Sequence, residues 1–182
     1  MSAALIVIDV QNEYVTGALP IVYPPVDQSL ARIAAAIDAA TTAGIDVIAV
    51  RHTEPDPTGG VFVEGTAAWE LHKVVTSRPH SVVIDKQWPG SFTGTPLEHW
   101  LREHSIDQLV IAGYMTHMCV DTTARQAMHR GWDVMVLSDA TGTIDLSDEL
   151  PAHLVHRVEL GVLGDGFGTV CTTDDWIKSI RG

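Results

Sequence analysis

Leu5-Ile6-Val7-Ile8 is an unbroken apolar run, closed at once by Asp9. A strand with one wet face alternates apolar and polar residues, whereas a strand covered on both faces does not. The run therefore reads as an interior strand of a parallel sheet. Similar β-branched runs recur at 46–51, 81–85, 108–112, 133–137 and 169–171. Helical patterns fill the gaps between them. Residues 29–43 place Leu30, Ile33, Ala34, Ile37 and Ala40 on one helix face, and Gly44 supplies a terminator. Thr95-Pro96-Leu97-Glu98 reads as a helix start, with Thr95 as cap, Pro96 in first position and Glu98 in third. Further helices are predicted at 119–130 ending at Gly131, at 149–163 ending at Gly164-Asp165-Gly166, and from a Thr173 cap to Ile180. Strand and helix alternate with no linker or internal repeat. The predicted fold is α/β: one domain over residues 1–182, a three-layer α/β/α architecture with a doubly wound, six-stranded, Rossmann-like parallel sheet.

The chain has 182 residues and is 46% hydrophobic. A domain of that length buries roughly 70% of the surface its unfolded chain exposes, so neither disulfide nor structural metal is needed for folding. Eleven Lys and Arg against 23 Asp and Glu give a net charge of −12, which opposes nucleic acid and anionic membrane surfaces. Two cysteines, Cys119 and Cys171, cannot form the disulfide framework of a small secreted scaffold. The N-terminal stretch lacks a basic leader and a long apolar segment, so the expected location is cytoplasmic with no membrane partner. Residues 53–80 are broken by Pro55, Pro57, Gly59, Gly60 and Gly65, with a short helix predicted at 67–75. So long an irregular insertion is more often functional, or an interface, than idle.

Ligands of open parallel sheets sit beyond the carboxyl ends of the strands. The polar residues following the runs are Asp9, Arg51-His52, Asp85-Lys86, residues 114–119, Ser138-Asp139 and Thr172-Thr173. Taken singly, Asp9 is a turn residue, Lys86 a surface lysine and Cys119 a small buried hydrophobe. Taken jointly they make a chemical set. Cys119 stands where a loop enters a helix, where unpaired N–H groups and the helix dipole favour a thiolate and hold an oxyanion. A carboxylate from the first strand takes the thiol proton, and a lysine from the third stabilises the charges.

Three segments carry a family resemblance. Val7-Ile8-Asp9-Val10-Gln11-Asn12, Asp85-Lys86-Gln87-Trp88-Pro89-Gly90-Ser91-Phe92 and Gly113-Tyr114-Met115-Thr116-His117-Met118-Cys119-Val120 resemble the signature segments of the isochorismatase-like cysteine hydrolases. The likeness extends from Leu5 to Thr173, and residues 116–125 with Val155-His156-Arg157 look most like small streptothricin-hydrolase-type members. The resemblance implies a catalytic triad of Asp9, Lys86 and Cys119. Cys119 then attacks the carbonyl carbon of a small-molecule amide. Asp9 accepts the thiol proton, protonates the departing amine and activates water. Lys86 holds Asp9 ionised and favours the thiolate. Also implied are a cis peptide at Tyr114–Met115, oxyanion donors on the Met115 and Cys119 N–H groups, and a homodimer or larger homo-oligomer. A helix start and Lys86 both lower a thiol pKa from its usual value of about 8.5, so Cys119 is expected to outcompete Cys171 for an alkylating agent.

Nicotinamidase-type members carry an Asp-x-His metal motif after the second strand. This chain has Arg51-His52-Thr53-Glu54, with His52 where the first Asp would fall. His52 and His72 read as loop residues, and no metal is expected. Gly164-Asp165-Gly166-Phe167-Gly168 precedes a strand rather than following one, and no P-loop occurs, so no cofactor is expected. Tyr14, Trp88, Phe92 and His117 flank the triad positions and are candidates for the pocket, with core or subunit contact as the other reading. The expected function is a cysteine hydrolase cleaving the C–N bond of a small amide. Its rivals are an isochorismatase-type vinyl ether hydrolase, which needs an acid and no thiol, and an idle binding protein on the same fold. The sequence names no substrate.

Overall fold

Six strands form one sheet in the computed structural model, which describes residues 2–181. They are β1 (Ala3–Ile8), β2 (Asp46–His52), β3 (Val82–Lys86), β4 (Gln108–Tyr114), β5 (Asp133–Gly142) and β6 (Thr169–Cys171). All neighbours pair in parallel, in the order β3-β2-β1-β4-β5-β6. The winding reverses between β1 and β4, and the carboxyl ends of those strands flank the crevice where such sheets bind ligands.

The helices are α1 (Val26–Ala43), α2 (Lys73–Thr76), α3 (Leu97–Glu103), α4 (Asp121–His129), α5 (Ala152–Gly166) and α6 (Thr173–Arg181). On one face of the sheet, Ile33 and Ile37 of α1 and Trp176 of α6 pack with Leu5, Val7, Val47 and Ala49. On the other, Leu97 and Leu101 of α3, Ala124 of α4 and Leu163 of α5 pack with Ile6, Ile8, Ile48 and Val50. Alternate residues of β1 thus feed opposite cores, which is why the run Leu5–Ile8 has no polar member. All six predicted strands are present, and α1 stops at Gly44 in the left-handed conformation (φ 69°).

Several boundaries differ from expectation for identifiable reasons. The predicted helix at 67–75 is reduced to α2. Leu71 is held extended by an antiparallel bridge to Gln11, and His72 Nδ1 caps the turn by accepting the Val74 N–H at 3.2 Å. The insertion is nonetheless tied down, with Phe62, Trp69 and Leu71 buried in the core. β5 runs to Gly142 because a bulge between Ile111 and Gly113 lets β4 pair again at Thr141 and Gly142. α5 starts at Ala152, whose N–H is accepted by Asp145 Oδ1 at 2.6 Å, and it continues through Gly164. Thr172 rather than Thr173 caps α6, accepting the Asp175 N–H at 3.2 Å. Thr173 instead donates both N–H and O–H to Asp139 Oδ1. Thr95 Oγ1 accepts the Leu97 N–H at 3.3 Å, so it caps as read, although Pro96 sits before α3 rather than in it.

Gly113 is the one glycine whose absence of a side chain builds the crevice. It pairs with Ile8 at φ 115°, and a methyl there would overlap the Ile8 carbonyl oxygen and backbone nitrogen. Gly113→Ala is therefore expected to cost at least about 2 kcal/mol, a fall of roughly 4–8 °C in the unfolding midpoint, because both backbone conformation and packing oppose it. A variant melting with the wild type in a thermal scan would contradict this.

Candidate active site

Asp9 terminates β1 with φ 52°, its N–H donating to the Val50 carbonyl at 2.9 Å. Lys86 is the last residue of β3 and returns across β2 to Asp9, with Nζ 2.8 Å from Oδ2. Cys119 sits in a single π-helical turn, Thr116–Val120, between β4 and α4, and Lys86 Nζ donates to its Sγ at 3.3 Å. All three groups are buried: Asp9 0%, Lys86 2% and Cys119 6% exposed. Residues 77 and 33 positions apart in sequence thus meet at one sheet edge. The peptide Tyr114–Met115 is cis.

Burying an ion pair is costly unless the remaining valences are served. Here the ammonium lies close to Asp9 but off the line of a hydrogen bond, and both carboxylate oxygens are buried without an aligned donor. Burial opposes the charge on Lys86, but the facing Asp9 and Cys119 outweigh it and leave its proton held more tightly than in ordinary lysine. Cys119 departs from expectation. Burial pushes its thiol well above the usual range and Asp9 adds to this, while Lys86 only partly compensates. Its place inside the π-turn, two residues ahead of α4, also keeps it off the helix end proper. These influences favour the thiol over the thiolate. Cys171 is likewise raised by burial but stands partly exposed, so preferential alkylation of Cys119 no longer follows.

The four pocket candidates separate. Trp88 is exposed and borders a cavity of about 430 Å³ whose wall also includes Thr53, Glu64, Trp69, Lys86 and Thr93. Tyr14 is buried between the rings of Phe62 and Tyr114, at 5.1 and 5.6 Å between centroids. Burial, then the nearby Cys119 and Asp9, raise its hydroxyl pKa. Phe92 stacks on Trp132 at 5.3 Å, in the core cluster that also holds Cys119. His117 is part-buried, with its Nδ1 joined to the Thr143 hydroxyl at 2.5 Å. Neither Asp9 nor Cys119 lines the cavity; Lys86 is the member of the set that reaches it.

Two residues outside the predicted set belong to the site. Gln11 is fully buried and clamps the His52 backbone from both sides, its Nε2 donating to the carbonyl and its Oε1 accepting the N–H, each at 2.9 Å. The same Nε2 donates to the Trp69 carbonyl at 2.7 Å, binding the insertion to the sheet. His52 is not a loop residue but the end of β2, and its Nδ1 lies 3.2 Å from Lys86 Nζ. The signal was present in the sequence, because His52 and Lys86 each follow a predicted strand end by the same count. Among the described residues no group of three or more His, Cys, Asp or Glu is arranged to hold a metal, and no helix is long and apolar enough to cross a membrane.

With this geometry in place, residues 3–175 match the isochorismatase domain. The chain belongs to the isochorismatase family. It is a hydrolase of that family, and the family resemblance read from the three segments holds. The crystal structure of an isochorismatase-class protein from Burkholderia xenovorans LB400 superposes with a TM-score of 0.95 at 45% identity, covering 99% of this chain and 88% of that one. The secreted isochorismatase effector Isc1 of Verticillium dahliae is 35% identical over 173 residues, 95% of this chain and 89% of that protein. A streptothricin hydrolase of Streptomyces noursei is 33% identical over 168 residues, which is 89% of this chain but 65% of the hydrolase.

Proposed function

We propose that this isochorismatase-family chain acts as a single hydrolase domain that cleaves the C–N bond of a small-molecule amide through a thioester on Cys119. The observation that carries the reading is the contact of a buried thiol, carboxylate and ammonium at the point where the sheet order reverses. A resonance-stabilised amide needs a strong nucleophile and a proton donor for its poor leaving group, and this set supplies both.

The resting proton sits on sulfur. As Sγ bonds to the amide carbon, Asp9 takes that proton and Lys86 faces the developing charge on sulfur. The carbonyl oxygen becomes an oxyanion, held by the N–H groups of Met115 and Cys119. The Met115 N–H meets no acceptor among the described residues, which leaves it free for this. When the tetrahedral intermediate collapses, the C–N bond breaks and the amine leaves with the proton from Asp9. Asp9 then deprotonates a water that attacks the thioester, the acid departs, and the proton returns to sulfur. Leu150, Leu154, Val158 and Val162 form an exposed apolar stripe leading into and along α5, which supports the expectation of a second copy in a homodimer or larger assembly.

The test is a screen of small amides, ureides and lactams that reads released ammonia or amine, with mass detection of an acyl group on Cys119. Turnover is expected to survive exhaustive chelation. The imidazole that stands nearest a metal motif is engaged by a lysine ammonium, whose charge repels a divalent cation. Loss of turnover on chelation and its recovery with a metal would overturn the metal-free scheme. An acyl adduct that never appears on Cys119 during turnover would overturn the thioester.

A further inference from the structure

We propose that His52 is a positioning residue that aims the Lys86 ammonium at the Cys119 sulfur. This goes one step beyond the amidase reading and rests on it for its purpose, though not for its test. In the sheet, His52 and Lys86 are direct partners across β2 and β3. The Lys86 side chain is wholly buried, and its ammonium is surrounded by three groups: Asp9 Oδ2 at 2.8 Å as an ion pair, and His52 Nδ1 at 3.2 Å and Cys119 Sγ at 3.3 Å as hydrogen-bond partners. An ammonium only donates, so Nδ1 accepts and the proton of the neutral ring lies on Nε2.

The imidazole is not free to turn away. Gln11 holds its backbone at both N–H and carbonyl, and Phe62 meets the ring edge-on at 5.2 Å between centroids. Burial and the Lys86 charge favour the neutral, accepting form, against a smaller opposing influence of Asp9 and Glu54. Asp9 and Cys119 both change charge during the reaction, whereas His52 does not. It is the fixed leg of the tripod. Without it a charged N–H is left buried and unserved, so the ammonium tilts or sheds its proton, and the sulfur loses its cation in either case.

Iodoacetamide labelling of Cys119, followed by peptide mass across roughly pH 7–11, reads this without any substrate. The titratable and charged groups facing the set are Asp9, Glu13 and Tyr14 after β1, Glu54 after β2, Lys86 and Cys119. His52→Phe keeps a flat ring against Phe62 but removes the acceptor, and it is expected to slow Cys119 labelling about tenfold and to move its pH profile to higher pH. His52→Asn, whose Oδ1 falls near the position of Nδ1, is expected to restore the rate to within about twofold. Cys171 is the internal control, with labelling unchanged throughout. If His52→Phe does not fold, His52→Leu takes its place. A wild-type Cys119 profile in the variant without an acceptor overturns the proposal, as does an Asn variant that folds normally yet is as slow as Phe. Absence of amidase activity bears only on the proposed function, since labelling is indifferent to it.

Discussion

Cys119→Ala is expected to lose at least about a hundredfold in amide turnover while folding normally, the scale seen when an activated nucleophile is deleted. The fold is spared because Lys86 keeps two of its three partners, Asp9 and His52. Asp9→Asn is expected to be comparably damaged, because both thiol and water depend on the same carboxylate for activation. The pair of variants also separates the two chemistries the family name leaves open. A vinyl ether can be hydrolysed by protonating its double bond and adding water, which requires an acid and no nucleophile. A natural substrate turned over normally by Cys119→Ala but not by Asp9→Asn would move the protein to that class. Steady-state rates with both variants on one substrate decide it.

Lys86→Met is expected to give the largest loss of stability. It leaves the Asp9 carboxylate fully buried, with no counterion and no aligned donor. Breaking a buried ion pair from one side costs about 3–5 kcal/mol, since the surviving charge has no compensation. For a chain of this length that corresponds to a fall of roughly 6–20 °C in the unfolding midpoint. The double variant Asp9→Asn/Lys86→Met removes the orphaned charge and is expected to recover much of the loss while remaining inactive. Calorimetry of the two variants tests the argument. A Lys86→Met protein melting with the wild type would mean that Asp9 finds another partner, and the buried pair would lose its structural meaning.

What the sequence made legible was whatever one element decides alone. Each strand is apolar along its own length because both its faces are covered, and α1 ends at Gly44 because the left-handed turn suits glycine. Whatever needed a second element was missed or misread. Residues 67–75 are held by the bridge of Leu71 to Gln11, which lies sixty residues earlier, and no local propensity records that. Phe92 follows Lys86 by six residues but stacks on Trp132, which lies forty residues further along the chain. The π-turn is marked by the Val120 N–H donating to the Met115 carbonyl five residues back, a pattern that spacing does not announce. The resting thiol has the same origin: the sequence shows a cysteine near a helix and a lysine, but burial and a facing carboxylate are properties of the assembled site.

The strand order has a consequence for how the molecule is made. β1 is central in the sheet, yet its neighbour β4 ends only at Tyr114, more than a hundred residues further along the chain. At ordinary rates of synthesis the interval is roughly 5–20 s. Throughout it β2 can cover one side of β1, while the other edge, with Leu5 to Ile8 along it, has nothing to pair with. The nascent chain therefore carries its most adhesive strand half-dressed for far longer than a hairpin takes to close. The crevice beside β1 in the finished sheet is, in the growing chain, a seam that stays open until β4 arrives.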